Sequence, residues 1–169
     1  MVKLGPIEEL GTQWWFELFD CPKTRMDDIH ARLQAELTRF NREYSRFRND
    51  SLIGRLNDGE TITDPSPELL ELLEFGRAWY EKSDGHFNFV TGHLQEAQGY
   101  DPAYSFTSRA IAQKVVVPTE VLQLSSSAVQ LTEGKIDLGG FGKGYLIDRL
   151  ALLLREECGF EHFLINGGG

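Results

Sequence analysis

The chain has 169 residues, 41% hydrophobic and 25% charged, with a formal net charge of −9 and a pI of about 4.9. That length holds one ordinary domain with a sizeable core, and the composition is that of a globular protein rather than a disordered one. The negative charge works against nucleic acid and anionic membrane surfaces as partners, while a small anionic ligand needs only local backbone N–H groups and one cation.

No apolar run reaches the roughly 18 residues of a membrane-spanning helix. Met1 to Leu10 lack the apolar stretch of a secretory signal, and Asp20 before Cys21 does not suit a lipoprotein cleavage site. The chain as given reads as cytoplasmic, or as periplasmic and inner-membrane-associated if a leader has been removed. Cys21 and Cys158 are too few for a disulfide framework and read as buried or half-buried thiols.

In chain order, the aromatic and partly alternating stretch Gly11 to Asp20 predicts a strand. Pro22 and the spacing Thr24 to Asp27 open a helix whose buried face is Ile29, Leu33, Leu37 and Phe40, ending near Tyr44. Residues Ser45 to Gly59 read as a polar turn segment with an apolar stitch at Leu52, Ile53 and Leu56. Asp64-Pro65 then signals a second helix start, with Leu69, Leu72, Leu73, Ala78 and Trp79 as the buried stripe and Asp84-Gly85 as the stop. His86 to Ser108 predicts loop with short helical turns. Strand signals at Val115–Val117, Val121–Leu124, Ala128–Leu131 and Lys135–Leu138 predict an antiparallel meander. A strongly apolar helix over Tyr145–Cys158, capped by Gly159, and a strand beginning at Phe163 complete an α+β pattern. A strand running into Asn166-Gly167-Gly168-Gly169 with no partner after it is expected of a shortened domain, the alternative being a frayed glycine tail. An open sheet edge there makes a homodimer an expected partner arrangement.

The strongest chemical signal is Lys135-Ile136-Asp137-Leu138-Gly139-Gly140-Phe141-Gly142-Lys143-Gly144-Tyr145-Leu146-Ile147-Asp148. Glycines let backbone approach a ligand, a helix start offers unpaired N–H groups to phosphate, and Lys143 adds a charge. Asp137 and Asp148 flank the loop and could hold a ribose hydroxyl, orient Lys143 or sit near a metal. The spacing matches neither a P-loop nor a dinucleotide fingerprint, and a tight turn needed only for packing, with Lys143 a lone surface lysine, is the competing reading. Other features have plain readings: Glu68, Glu71 and Glu74 as a solvated helix face, Trp14, Trp15 and Trp79 as core or groove aromatics, and His86 with His93 as ordinary histidines rather than a metal pair, since no Cys or carboxylate ligands stand near them at metal spacing.

The segment Ile136 to Asp148 resembles the ApbE family. So do, in order, Gly11-Thr12-Gln13-Trp14, the stretch Ser45 to Asn57, Ser83-Asp84-Gly85-His86-Phe87-Asn88 and Leu164-Ile165-Asn166-Gly167-Gly168. Asn88 stands where the family usually has Asp, and Leu10 where Met is common. The resemblance implies an antiparallel sheet packed with helices, T-fold-like, with residues 1–169 forming a single region, the N-terminal part of the family's domain. It implies an FAD:protein FMN transferase that uses Mg2+ and moves FMN to a Ser or Thr of an acceptor flavoprotein, releasing AMP. The alternatives are a non-catalytic FAD-binding module or an FAD pyrophosphatase. By the same likeness Gly11, Thr12, Asn57, Gly85, Phe87, Asp137, Gly140, Lys143, Gly144 and Asp148 line the FAD site. Asp137 and Lys143 would be catalytic, and Gly142 would offer a carbonyl to the metal. Family members run on about as far again, with the Asp and Thr or Ser that complete the metal site, so the chain alone is expected not to transfer FMN at a useful rate.

Overall fold

The computed structural model describes residues 1–100, 105–108 and 114–168. Along the chain lie β1 (Val2–Glu9), β2 (Thr12–Leu18), α1 (Met26–Tyr44), α2 (Leu52–Asn57), β3 (Ile62–Thr63), α3 (Pro67–Lys82) and α4 (Gly92–Ala97). These are followed by α5 (Pro118–Val121), β4 (Leu122–Leu124), β5 (Ala128–Leu131), α6 (Gly142–Leu152) and β6 (Phe163–Gly167). They fall into two compact units, one of residues 1–42 and 141–169 and one of residues 43–140. Both carry antiparallel sheet with helices, and the α+β expectation holds. None of the described helices is long and apolar enough to cross a membrane.

The first unit is built on an antiparallel sheet of order β1-β2-β6. β1 and β2 form a hairpin through Leu10 and Gly11, at φ 55° and 69°. Positive φ at both turn positions matches the twist of the flanking strands, and the glycine takes this conformation without a Cβ clash. β1 is a strand that the sequence reading did not anticipate. Gly5-Pro6 in its middle reads as a breaker, yet β1 is an edge strand and the pairing register shifts between Leu4 and Ile7, which is where a proline is tolerated. Period-two alternation turns Trp14, Phe16 and Leu18 inward, all fully buried. Trp15 faces the other way and is 40% exposed, against the expectation of a core or groove aromatic.

α1 opens at Met26, after a 3-10 turn over Lys23–Arg25 in which Thr24 sits, so the helix starts later than the Thr24–Asp27 spacing implies. Its predicted face of Ile29, Leu33, Leu37 and Phe40 is buried throughout. α6 buries Leu146 and Leu150 and loosens into a wide π turn over Leu153–Glu157. Gly159, at φ 74°, closes that end, with its N–H on the Arg155 carbonyl and the Phe160 N–H on the Leu154 carbonyl. Arg25 donates to the Cys158 carbonyl at 2.9 Å and lies over the Phe160 ring.

In the second unit, Ser51 caps α2, its Oγ accepting the Gly54 N–H at 2.8 Å, so the apolar stitch expected within a turn is a short helix with Ile53 and Leu56 buried. α3 starts not at Asp64-Pro65 but two residues on. Ser66 accepts the Leu69 N–H at 3.2 Å and Pro67 takes the first helical position, repeating the same cap-then-proline signature. Its buried stripe runs Leu69, Leu72, Leu73 and Gly76, while Trp79 is 46% exposed and Ala78 only half-buried. The stripe turns because Gly76 accepts the Phe89 ring where a side chain would stand: a Cβ there would be 2.9 Å from Phe89 Cδ1. Gly85 N–H returns to the Tyr80 carbonyl at 2.9 Å, which ends α3 as predicted.

The sheet of this unit has the order β3-β5-β4. The β4–β5 hairpin realises the middle of the expected meander, and the two-residue β3 is an unpredicted partner. Val115–Val117 and Lys135–Leu138 are not strands. Their hydrogen bonds go to side chains and loops instead of a ladder. Residues 101–104 of the expected loop lie outside the described residues.

Candidate functional site

The glycine segment begins in the second unit with Lys135 to Gly140. Ile136 is fully buried, and its backbone is satisfied by Asn57, whose Nδ2 donates to the Ile136 carbonyl at 3.0 Å and whose Oδ1 accepts its N–H at 2.7 Å. The flanking groups are tied as well. Gly92 N–H meets the Lys135 carbonyl at 2.9 Å, and Asp137 N–H meets the Phe89 carbonyl at 2.7 Å. An alternating sequence here predicts a strand, but the partners come one at a time from three places, so no ladder forms.

Asp137 then turns the chain. Its Oδ1 accepts the Gly139 N–H at 2.7 Å, an Asx-type turn, and its Oδ2 lies 3.1 Å from Arg46 Nε. Gly139 and Gly140 are exposed, and a Cβ on Gly140 would be 3.0 Å from Phe87 Cε2. Phe87 is set in turn by Ser83, whose Oγ accepts its N–H at 2.9 Å. Thus Asn57, Gly85, Phe87, Asp137 and Gly140 belong to one unit. Asn57, Asp137 and Phe87 bear on the same six residues, and Gly85 stands two residues before Phe87 in the turn that closes α3.

Asn88, the departure from the family pattern, donates Nδ2–H to the Val116 carbonyl at 2.8 Å and accepts the Val90 N–H at 2.8 Å. An ionised Asp could accept but not donate, so the amide answers a need of this chain: it holds Val116, where the strand was expected.

The remaining predicted residues lie in the first unit. Gly142 is the buried first residue of α6, followed by exposed Lys143 and Gly144, with Asp148 exposed one turn on. Phe141 precedes the helix without a side-chain cap, and a Cβ on Gly144 would meet nothing within 4 Å. The first N–H groups of a helix with no cap are donors available to an anion, beside a cation. Gly11 occupies the β1–β2 turn. Next to it, the Thr12 side chain lies where a side chain on Gly168 would stand, so position 168 has no room for one.

Lys143 and Gly144, exposed at the uncapped start of α6, fit a phosphate group. They do not make a magnesium site by themselves. Among the described residues no three His, Cys, Asp or Glu side chains converge, and a carbonyl at the first position of α6 belongs to the helix's own hydrogen-bond series. His93 Nε2 lies 3.1 Å from the Lys114 carbonyl.

Arg46 was not singled out from the sequence. It follows the end of α1 in a polar stretch, and its partner Asp137 is far along the chain, so no spacing rule connects them.

Residues 10–169 match the ApbE family. The chain belongs to the ApbE family. Among curated relatives it is 24% identical over 173 residues to an FAD:protein FMN transferase of Klebsiella pneumoniae, covering 95% of this chain and 49% of that protein. A Rhodobacter capsulatus protein of the same name is 26% identical over 175 residues, covering 94% of this chain and 32% of that one. The chain thus spans half or less of the curated relatives it matches. Solved ApbE structures share its fold. The flavin transferase ApbE of Vibrio cholerae superposes with a TM-score of 0.79, at 22% identity, over 99% of this chain and 57% of that one. The ApbE protein of Thermotoga maritima gives 0.74 at 22% identity, over 99% and 57%.

Proposed function

We propose that this chain is the FAD-holding N-terminal region of an FAD:protein FMN transferase, residues 1–169 acting as one binding region. The observation that carries the reading is the start of α6, where exposed Lys143 and Gly144 stand beside helix N–H groups that have no side-chain cap. In the proposed reaction a Ser or Thr hydroxyl oxygen of an acceptor flavoprotein attacks the phosphorus of the FMN half. The new P–O bond forms as the pyrophosphate bond breaks, AMP leaves with the electron pair, and the hydroxyl proton passes to solvent or a base. Lys143 and the first N–H groups of α6 offset charge on the phosphoryl oxygens. Asp137, with both oxygens engaged, orients the loop. Magnesium dependence is part of the proposal through the family, with carboxylate ligands assigned to the part of the relatives that this chain does not span.

Titration of FAD fluorescence against wild type and Lys143→Ala, with and without magnesium, tests the reading. The expected result is saturable quenching, weakened about tenfold in the variant, which corresponds to roughly 1.4 kcal/mol. Absence of quenching in wild type would overturn it. A second reading, FAD binding without turnover, is favoured by the lack of a converging carboxylate set among the described residues; quenching without AMP release would select it.

A further inference from the structure

Arg46 carries a full positive charge on a side chain only 5% exposed. Its Nη2 donates to the Tyr100 carbonyl at 2.9 Å and to Gln95 Oε1 at 3.3 Å, and its Nε lies 3.1 Å from Asp137 Oδ2. Nη1 is buried without a hydrogen bond, 3.8 Å from Glu96 Oε1, and Glu96 is engaged by Lys135 Nζ at 2.7 Å. Two cations therefore face two carboxylates, and the cluster is neutral as a set.

Burying such a cluster gains little over an apolar core, because desolvation offsets the Coulomb attraction. What the arrangement does supply is direction. Asp137 is 11% exposed and uses its two oxygens for different tasks: Oδ2 faces the guanidinium, and Oδ1 holds the Gly139 N–H at 2.7 Å. A carboxylate free to rotate about its Cβ–Cγ bond would not hold the first glycine of the segment in one orientation. The planar guanidinium, itself fixed by Gln95 and Tyr100, removes that freedom.

We infer that Arg46 is a positioning residue for the glycine loop, fixing the Asp137 carboxylate and through it the backbone at Gly139. The consequence for FAD rests on the proposed function; the consequence for Gly139 does not. A double-mutant cycle with Arg46→Gln and Asp137→Asn tests it, read by the 1H–15N resonance of the Gly139 amide and by FAD quenching, with thermal unfolding to confirm folding. Arg46→Gln is expected to move the Gly139 resonance and weaken FAD binding about tenfold. In the Asp137→Asn background the same change should move neither by more than about twofold, because the relay is already cut. A merely structural Arg46 would give effects that multiply. Arg46→Lys keeps the charge without the fork and is expected to be intermediate; it also serves if Arg46→Gln does not fold. An unmoved Gly139 resonance in a folded Arg46 variant, or multiplying effects, would overturn the inference. Failure of wild type to bind FAD would instead overturn the proposed function, leaving the Gly139 resonance to decide the role of Arg46.

Discussion

Asn57 stands in for a β-strand: its side-chain amide occupies both backbone groups of Ile136, a residue 79 positions away, as a neighbouring strand would. The substitution of one side chain for a whole strand concentrates the stability of the segment in two hydrogen bonds. Asn57→Ala leaves a buried N–H and C=O unsatisfied, and the expected loss is about 2–3 kcal/mol. Urea denaturation should show a lower midpoint with an unchanged slope. A midpoint equal to wild type would mean that water replaces the amide.

Two glycines in helices should respond in opposite directions. Gly76→Ala gains about 1 kcal/mol of helix propensity but forces a methyl into the buried Phe89 ring, and overpacking of about 1–3 kcal/mol outweighs it. Gly144→Ala meets nothing within 4 Å and should stabilise by up to about 1 kcal/mol. If Gly144 faces phosphate, the same variant loses FAD affinity while its melting temperature rises. A gain in both would remove Gly144 from the site.

Tyr44 makes stability fall at alkaline pH. Burial pushes its phenol well above the ordinary 10.0; the Glu68 carboxylate, which accepts its O–H at 2.9 Å, pushes in the same direction, and Ser66 opposes them. A raised folded-state value means that the folded protein holds the proton more tightly. The stabilisation is therefore whole below pH 10 and lost as pH rises from there through the raised value. Tyr44→Phe should flatten the decline of stability above pH 10, measured by denaturant midpoints at a series of pH values. An identical decline in the variant would assign it to other groups.

The two thiols should be chemically distinct. Burial raises the Cys158 thiol, against the lowering influence of Arg32 and Arg25, and the residue is buried, whereas Cys21 is half-exposed. Native protein at pH 8 is expected to release one equivalent from a disulfide reagent quickly, a phase absent in Cys21→Ser, with Cys158 reacting on unfolding. Two equally fast native thiols would contradict this.

The elements that were legible in advance are those whose signal is local. The face Ile29, Leu33, Leu37 and Phe40, the strand at Trp14 to Leu18, and the cap at Gly159 each follow from periodicity or from a residue that only one conformation suits. A helix opening out of the glycine segment is legible for the same reason. Illegible were features that depend on distant partners. Lys135–Leu138 alternates like a strand, but Asn57, Gly92 and Phe89 had taken the places of a ladder. Spacing alone places Trp79 in the core, but Phe89 over Gly76 turns the buried stripe aside. Asp64-Pro65 and Ser66-Pro67 offer the same cap signature, and only Ser66 reaches the Leu69 N–H.

The proline of β1 has a consequence for how the first unit's sheet can grow. On the β1 side, Pro6 lacks an N–H and the register shift breaks the regular spacing of donors and acceptors, so an incoming strand finds a poor template. On the β6 side, Phe163 to Gly167 pair with β2 in unbroken register, and beyond β6 the described residues place no further strand. The sheet therefore has a polarity across its strands, its β1 margin broken by proline and a register shift and its β6 margin regular. A strand laid along β1 would meet a residue with no N–H to offer and a ladder out of step, a demand that β6 does not make.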